Sequence, residues 1–173
     1  KPYIVNIGRA SWAKGTWETI SMLEHTDLSM AHVGGGNSED INKLISHAES
    51  CNVKVWFAPR LTQNELSGLL RGARASVSMA HGEPFGLTPI EAFSIGTPAL
   101  FVNEGGFTDT IIDKENGRLI DRSDTKEWAH ALEQSNDIKI RKKWSESGKD
   151  RIESLNLTCD MHAKRIFQIF DNF

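Results

Sequence analysis

Short apolar runs alternate with amphipathic segments along most of the chain. The apolar runs are rich in β-branched and aromatic residues, and they predict strands at residues 3–7, 28–33, 53–57, 75–79, 98–102 and 118–120. Between these runs, apolar residues recur at helical spacing and predict helices or helical turns at residues 16–24, 38–49, 63–71, 87–94 and 107–112. Strands and helices that alternate in this way form crossovers between parallel strands. The predicted fold class is therefore α/β, a Rossmann-like parallel sheet of about six strands with helices on both faces.

The pattern becomes helical after residue 121. Helices are predicted at residues 124–134 and 138–147, and a last helix at residues 158–170. Asn136 and Gly148 are predicted to interrupt this segment, because Asn and Gly are typical of helix ends. The chain is thus expected to end in a helical segment.

Composition limits the classes of protein that this chain can be. Its 173 residues, 39% hydrophobic and 25% charged, suit one globular domain over residues 1–173. A net charge of -3 argues against a general nucleic-acid binder, because phosphate affinity requires clustered Lys and Arg. The basic cluster at residues 141–143 lies among acidic residues and is predicted to be a solvated helix face. We therefore expect no nucleic-acid partner.

The cysteines indicate the cellular compartment of the protein, and the first residues indicate whether the chain is a fragment. Cys51 and Cys159 are far apart and lack metal-ligand spacing, so they are predicted to be reduced thiols in a cytoplasmic protein, with no metal site. No signal peptide or long apolar segment is present in the sequence. The chain begins in strand-like sequence without an initiator Met, and we expect it to be a fragment that lacks a partner domain.

Candidate chemistry lies at the junctions where strands lead into helices, because ligands of open parallel sheets bind at the carboxyl ends of the strands. The first junction, GRASWAKG at residues 8–15, offers Gly8 and two cations, Arg9 and Lys14. An Arg fork and a Lys point charge together suit a diphosphate. The alternative is that Arg9 pairs with a carboxylate and Lys14 is solvated.

Glycines mark the second and fourth junctions. Three glycines at residues 34–36 allow close approach of a ligand to the backbone, or simply a tight turn. Neither this loop nor the first has the GxGxxG pattern, and no GxxxxGK[ST] motif is present, so classical dinucleotide and P-loop sites are disfavoured. The stretch NEGGFTD at residues 103–109 combines a glycine pair with two acids that can accept hydrogen bonds from hydroxyl groups.

The third junction, HGEPFGLTPIE at residues 81–91, places two carboxylates on either side of a predicted helix start. The helix is expected to begin between residues 86 and 89, since Pro is favoured in a first turn. Free N–H groups near Phe85, Gly86 and Leu87 would then form an anion site at the helix N-terminus. Alternatively, Thr88 and Glu91 form a capping box, in which Glu91 only ties back the helix start.

Together, GRASWAKG, VGGG at residues 33–36, HGEPFGLTPIEAFSIGTP at residues 81–98 and NEGGFTDTI at residues 103–111 resemble one family. They resemble the C-terminal, donor-binding domain of GT-B glycosyltransferases of the family 4 type, which are retaining enzymes that use nucleotide-diphosphate sugars. The resemblance covers about residues 3–121, and its most specific element is the E-x7-E spacing of Glu83 and Glu91. The absent partner would be the N-terminal acceptor domain.

The resemblance implies roles for individual residues. Arg9 and Lys14 would hold the diphosphate and neutralise the departing nucleotide, and Glu91 would accept hydrogen bonds from the ribose. Glu83 would lie at the transferred sugar, as a nucleophile or as an orienting group. The remaining donor contacts would be Gly8, Arg60 after the third strand, and the backbone of Phe85, Gly86 and Leu87.

The resemblance also implies substrates and a location. The donor would be a UDP-, GDP- or ADP-linked sugar, with no cofactor, and the acceptor a glycan or lipid-linked glycan, as for mannosyl- or glucosyltransferases. Peripheral association of the full-length protein with the cytoplasmic membrane surface is expected. As an isolated domain the chain would transfer little or no sugar. The alternatives are a noncatalytic nucleotide-sugar-binding or scaffolding module, another GT-B enzyme such as a nucleotide-sugar epimerase, and a glycosidase-type carboxylate pair.

Overall fold

The computed structural model describes residues 1–157, 160 and 161. In this part of the chain, six strands form one sheet with the order β3-β2-β1-β4-β5-β6. Every pairing between neighbouring strands is parallel, which confirms the predicted fold class. The strands are β1 Tyr3–Ile7, β2 Ser29–Val33, β3 Val55–Ala58, β4 Ser76–Ser78, β5 Ala99–Val102 and β6 Arg118–Ile120.

Helices connect the strands and close the domain. A short 3-10 turn at Trp12–Lys14 follows β1. The α-helices of the described chain are α1 Thr16–Met22, α2 Ser38–Ser50, α3 Gln63–Gly72, α4 Leu87–Ile95, α5 Phe107–Thr110, α6 Thr125–Gln134 and α7 Ile138–Leu155. Some predicted strand starts were early by one or two residues, because Leu28 and Val53 are buried in the loops that precede β2 and β3.

Both faces of the sheet are covered, as predicted. Successive side chains of a strand point to opposite faces. In β1, Ile4 belongs to an apolar cluster that includes Ile20 of α1 and Leu44 of α2. The next residue, Val5, belongs to a second cluster that includes Leu70 of α3.

The predicted interruption at Gly148 is wrong, since α7 continues from Ile138 through Gly148 to Leu155. Gly148 is buried against Phe93 of α4, and a Cβ atom added to it would lie 2.8 Å from Phe93 Cδ1. The glycine therefore permits close packing of two helices instead of ending one. The last predicted helix, at residues 158–170, lies almost entirely outside the described residues, as does Cys159; Cys51 is a buried free cysteine.

The prediction that residues 141–143 form a solvated face is wrong for Arg141. Its guanidinium is partly buried and donates hydrogen bonds to the carbonyls of Ala73, Arg74 and Ser135. Local sequence could not show this, because two of these carbonyls are nearly seventy residues away. Lys142 and Lys143 are exposed, as predicted.

Gly148→Ala is expected to lower the free energy of unfolding by about 1–3 kcal/mol, because the new methyl group must displace the buried ring of Phe93. Gly68→Ala in α3 is the matched control. A Cβ atom at Gly68 meets nothing within 4 Å, so this change should stabilise the protein by about 0.5–1 kcal/mol. Urea unfolding of both variants would measure the difference, and equal effects would contradict close packing at Gly148.

A buried polar chain crosses the centre of the sheet beneath the glycine loops. Asn6 donates through Nδ2 to the carbonyl of Val77 at 2.9 Å, and its Oδ1 lies 2.8 Å from Nδ1 of His32. Burial lowers the pKa of His32 to about 4, although the carbonyls of Gly8 and Gly35 oppose this shift. His32 is therefore a neutral side chain at pH 7 that ties β2 to β1.

This depressed pKa predicts a loss of stability in acid. The unfolded chain takes up a proton at His32 near the ordinary pKa of 6.5, whereas the folded chain does so only near 4. The contribution of His32 is thus fully present above about pH 6.5 and falls by about 3 kcal/mol as the pH drops to about 4. Chemical unfolding of wild type and His32→Gln across this range should show their difference shrinking in acid. As a control, the free energy of unfolding of the exposed variant His25→Gln should follow that of wild type at every pH. A difference between wild type and His32→Gln that stays constant with pH would contradict the prediction.

Candidate functional site

The candidate site lies between β1 and β4, where the strand order reverses direction. Ligands of doubly wound sheets bind at this switch point, at the carboxyl ends of the strands. A pocket of ≈ 370 Å³ opens there. Seven of the nine predicted donor-binding residues line it: Gly8, Lys14, Glu83, Phe85, Gly86, Leu87 and Glu91.

Lys14 and Glu83 form an ion pair within the pocket. Lys14 Nζ lies 2.6 Å from Glu83 Oε2, and the two side chains are 38% and 21% exposed. The alternative that Lys14 is merely solvated is therefore wrong. Gly15 lets the loop that carries Lys14 pack closely on β4, because its backbone has φ 61° and a Cβ atom there would lie 1.8 Å from the carbonyl oxygen of Met79.

The first turn of α4 faces the pocket without a side-chain cap. Gly86 is the N-cap residue, with φ 80°, and no side chain bonds to the helix start. The predicted capping box of Thr88 and Glu91 is not formed, because the helix begins at Leu87 and Thr88 already lies inside the first turn. The N–H groups of Phe85, Gly86 and Leu87 donate to no acceptor in the described part of the chain. These free donors and the helix dipole favour negative charge at this end of α4.

Glu91 is a pocket carboxylate without a protein partner among the described residues. It is partly buried, and burial raises the pKa of its carboxyl group above the ordinary value. A desolvated carboxylate that accepts no hydrogen bond is poorly stabilised, so hydroxyl groups of a ligand would improve its environment. Glu91 and Glu83 thus differ in chemistry: one is unpaired and the other is held by a cation.

His81 joins the first and third junctions, an arrangement that the sequence did not predict. Its Nε2 lies 2.8 Å from Glu18 Oε1, and its ring stacks on that of Trp12 with centroids 4.3 Å apart. The backbone N–H of His81 donates to the carbonyl of Ala13 at 2.9 Å. These contacts hold the Lys14 loop against the loop that carries Glu83.

Two predicted donor contacts lie outside the pocket lining. Arg9 is exposed and is adjacent in sequence to Gly8. Arg60 is exposed after β3, at the edge of the sheet and two strands away from β1. The structure therefore does not bring Arg60 to the pocket, whereas Arg9 directly follows the lining residue Gly8 in the chain.

The glycine loop at residues 34–36 packs on the first junction. Gly8 donates to the carbonyl of Val33 at 2.9 Å, and Ala10 donates to that of Gly35 at 2.7 Å. The loop therefore supports the backbone of Gly8. The fourth junction packs on the third in a similar way, because Gly106 donates to the carbonyl of Glu83 at 2.7 Å.

Arg122 was missed by the sequence analysis. It follows β6, and its Nη2 donates to Glu104 Oε2 at 2.8 Å and to the carbonyl of Ala80 at 3.4 Å. Glu104 was predicted as an acceptor for hydroxyl groups and is instead paired with this guanidinium. A cation soon after the last strand was the available signal. Because β6 lies two strands away from β4 in the sheet, only the structure shows that the Arg122 side chain reaches the loop after β4.

No helix in the described part of the chain is long and apolar enough to span a membrane.

Comparisons with known proteins agree with this architecture. The family described as "Glycosyl transferases group 1" matches residues 1–151. A D-inositol 3-phosphate glycosyltransferase from Xylanimonas cellulosilytica is 31% identical over 137 residues, which cover 76% of this chain and 33% of that protein.

Two solved structures share the fold. Sucrose-phosphate synthase from Thermosynechococcus elongatus superposes with a TM-score of 0.87 at 23% identity, over 99% of this chain and 45% of that chain. HepE from Anabaena, solved in complex with UDP-glucose, has a TM-score of 0.83 at 18% identity, over 99% of this chain and 49% of that chain. The chain thus spans about a third of the length of the curated relative and about half of each solved chain.

The family match covers most of the chain, and the described sheet has the six-stranded parallel architecture predicted from the alternation of strands and helices. The chain therefore belongs to the group 1 glycosyl transferases.

Proposed function

We propose that this chain is the donor-binding half of a retaining glycosyltransferase, which transfers a sugar from a nucleoside-diphosphate sugar to a glycan or lipid-linked acceptor. The observation that carries the proposal is the composition of one pocket. A lysine, an uncapped helix N-terminus and two carboxylates in different environments converge at the switch point of the sheet. This set of groups matches the parts of a nucleotide sugar.

The diphosphate would lie between Lys14 and the first turn of α4. Lys14 would move from Glu83 to the phosphates, while the free N–H groups of Gly86 and Leu87 would donate to phosphate oxygens. Arg9, which is exposed and follows the lining residue Gly8, would reach the same group from the solvent side. Cations and dipoles placed in advance stabilise the negative charge that develops on the departing nucleoside diphosphate.

The two carboxylates would bind different parts of the donor. Glu91, which has no protein partner in the described chain, would accept hydrogen bonds from the ribose hydroxyls. Glu83, released from Lys14, would contact the transferred sugar near the reacting carbon. This separation favours transfer over a glycosidase mechanism, which requires both carboxylates to flank one glycosidic bond.

UDP, GDP and ADP all carry the diphosphate and ribose that these residues would bind; the complex of HepE with UDP-glucose supports UDP. The acceptor would bind mainly through the rest of the protein, since the chain spans about a third of its curated relative. Sugar transfer is accordingly assigned to the full-length protein, at the cytoplasmic membrane surface when the acceptor is lipid-linked.

Calorimetry with UDP, GDP and ADP tests the donor site. At least one of the three should bind, and Glu91→Ala should weaken binding by about tenfold through loss of the ribose hydrogen bonds. Arg60→Ala is the matched control, because Arg60 lies away from the pocket and its loss should leave affinity unchanged. If none of the three binds at millimolar concentration, the proposal is wrong. The anomeric configuration of the product, read by NMR with the full-length enzyme, tests retention separately.

A further inference from the structure

Three of the five tryptophans are exposed: Trp12 by 70%, Trp17 by 45% and Trp56 by 53%. Trp12 and Trp17 each stack one face on a histidine. The ring centroids of Trp12 and His81 are 4.3 Å apart with an interplanar angle of 12°, and those of Trp17 and His47 are 3.7 Å apart at 11°. Stacking fixes the planes of both indoles, so that each presents a flat apolar surface to solvent.

The two indoles line two adjoining cavities, which have Trp17 and Lys43 in common. A cavity of ≈ 130 Å³ lies between Trp12 and Trp17 and is also lined by Ser11, Asp40 and Leu44. A second cavity of ≈ 620 Å³ shares Trp17 with the first and continues along the outward side of α2. We call this surface, from Trp12 past Trp17 to Ser50 at the end of α2, the tryptophan groove.

The charged groups of the tryptophan groove are already satisfied within the protein. Lys43 Nζ lies 2.7 Å from Glu39 Oε1, and Asn37 Nδ2 donates to Asp40 Oδ2 at 2.6 Å. Two carboxylates, Glu39 and Asp40, stand against one lysine, Lys43, so the net negative charge of the groove disfavours an anionic ligand such as a nucleic acid. The groove instead offers flat aromatic faces together with amide and hydroxyl groups.

This combination suits an uncharged saccharide. The C–H groups on one side of a pyranose ring carry slight positive charge and pack on the negative face of an aromatic ring. Its hydroxyl groups require hydrogen-bond partners at the edge, which Asn42 and Ser46 supply along the groove. A groove with two such indoles can hold successive sugar rings of one chain.

The groove also begins beside the pocket. His81, on which Trp12 stacks, donates to the carbonyl of Ala13 and precedes Glu83 by two residues. We propose that the tryptophan groove binds a neutral saccharide chain, which, on the proposed function, is the glycan that the enzyme extends. Anchored there, the chain would be held close to the donor pocket between transfers.

Titration of the intact protein with maltohexaose and with a linear α-linked mannotetraose, followed by calorimetry and tryptophan fluorescence, tests this proposal. At least one saccharide should bind wild type. Trp12→Ala and Trp17→Ala should each weaken binding by about tenfold, and the double variant should lose it further. Trp56→Ala is the matched control, because Trp56 is an equally exposed indole on the edge strand β3, and it should bind as wild type does.

Nucleoside diphosphate binding by the same variants separates this proposal from the donor site. Retained binding in the double variant shows that the protein is folded and that the loss of saccharide is local. Failure of wild type to bind either saccharide, equal binding by the double variant, or equal loss in Trp56→Ala would overturn the proposal. So would a variant that loses nucleoside diphosphate but keeps saccharide, because Trp12 would then contact the donor. Absence of nucleoside diphosphate binding in wild type would instead contradict the proposed function.

Discussion

Glu83→Gln is expected to abolish sugar transfer by the full-length enzyme while nucleoside diphosphate binding becomes tighter. The substitution keeps the shape of the side chain but removes the charge that holds Lys14 at 2.6 Å. Lys14 is then free for the diphosphate. Because the pair is partly exposed, its release should raise affinity only by a factor of about 2–5.

On the proposed function, transfer depends on the Glu83 carboxylate, as a nucleophile or as an orienting group. Loss of a preorganised charge at the reacting sugar should lower kcat by about 100-fold or more. Steady-state kinetics and calorimetry on the same protein would measure both effects. Glu146→Gln is the control, since it neutralises an exposed glutamate of α7 whose lysine partner is 3.9 Å away. Unchanged kcat in Glu83→Gln, or loss of nucleoside diphosphate binding, would contradict these roles.

Lys14→Met should have the opposite effect on the nucleotide. Removal of the ammonium deletes a charge-assisted contact to the phosphates and leaves Glu83 repelling them, so affinity should fall by about 10–100-fold. Calorimetry would measure this loss. Lys142→Met, which removes an exposed cation of α7, should leave affinity unchanged.

The double variant Lys14→Met, Glu83→Gln distinguishes repulsion from the loss of a phosphate contact. If the unpaired carboxylate alone were responsible, the double variant would recover wild-type affinity. We expect only partial recovery, because the phosphates would still lack the ammonium group. Full recovery would show that Lys14 serves only to neutralise Glu83.

The architecture could be predicted because its signals are local. Alternating apolar runs and amphipathic segments determine strands and helices, and their order along the chain requires crossovers between parallel strands. Gly148 and Arg141 were misread because their roles depend on distant partners. Gly148 contacts Phe93, and Arg141 donates to carbonyls just after α3. Neither contact can be predicted from the neighbouring sequence.

The site was predictable to the extent that it lies at strand ends. Lys14 and Glu83 are 69 residues apart in sequence, yet each follows a strand, and those strands are neighbours in the sheet. The strand order separates Arg60 from them, and this order cannot be read from a linear pattern. The contact between His81 and Glu18, which are 63 residues apart, likewise could be found only in the structure.

The ion pair of the pocket also affects how tightly small ions bind there. Inorganic phosphate meets a lysine whose charge is already balanced, and a stray divalent cation meets a carboxylate in the same condition. A nucleotide sugar offers phosphate, ribose and sugar contacts at once, and it can compensate for separating the pair. We therefore expect the ion pair to lower the affinity of the pocket for free phosphate by the same factor of about 2–5.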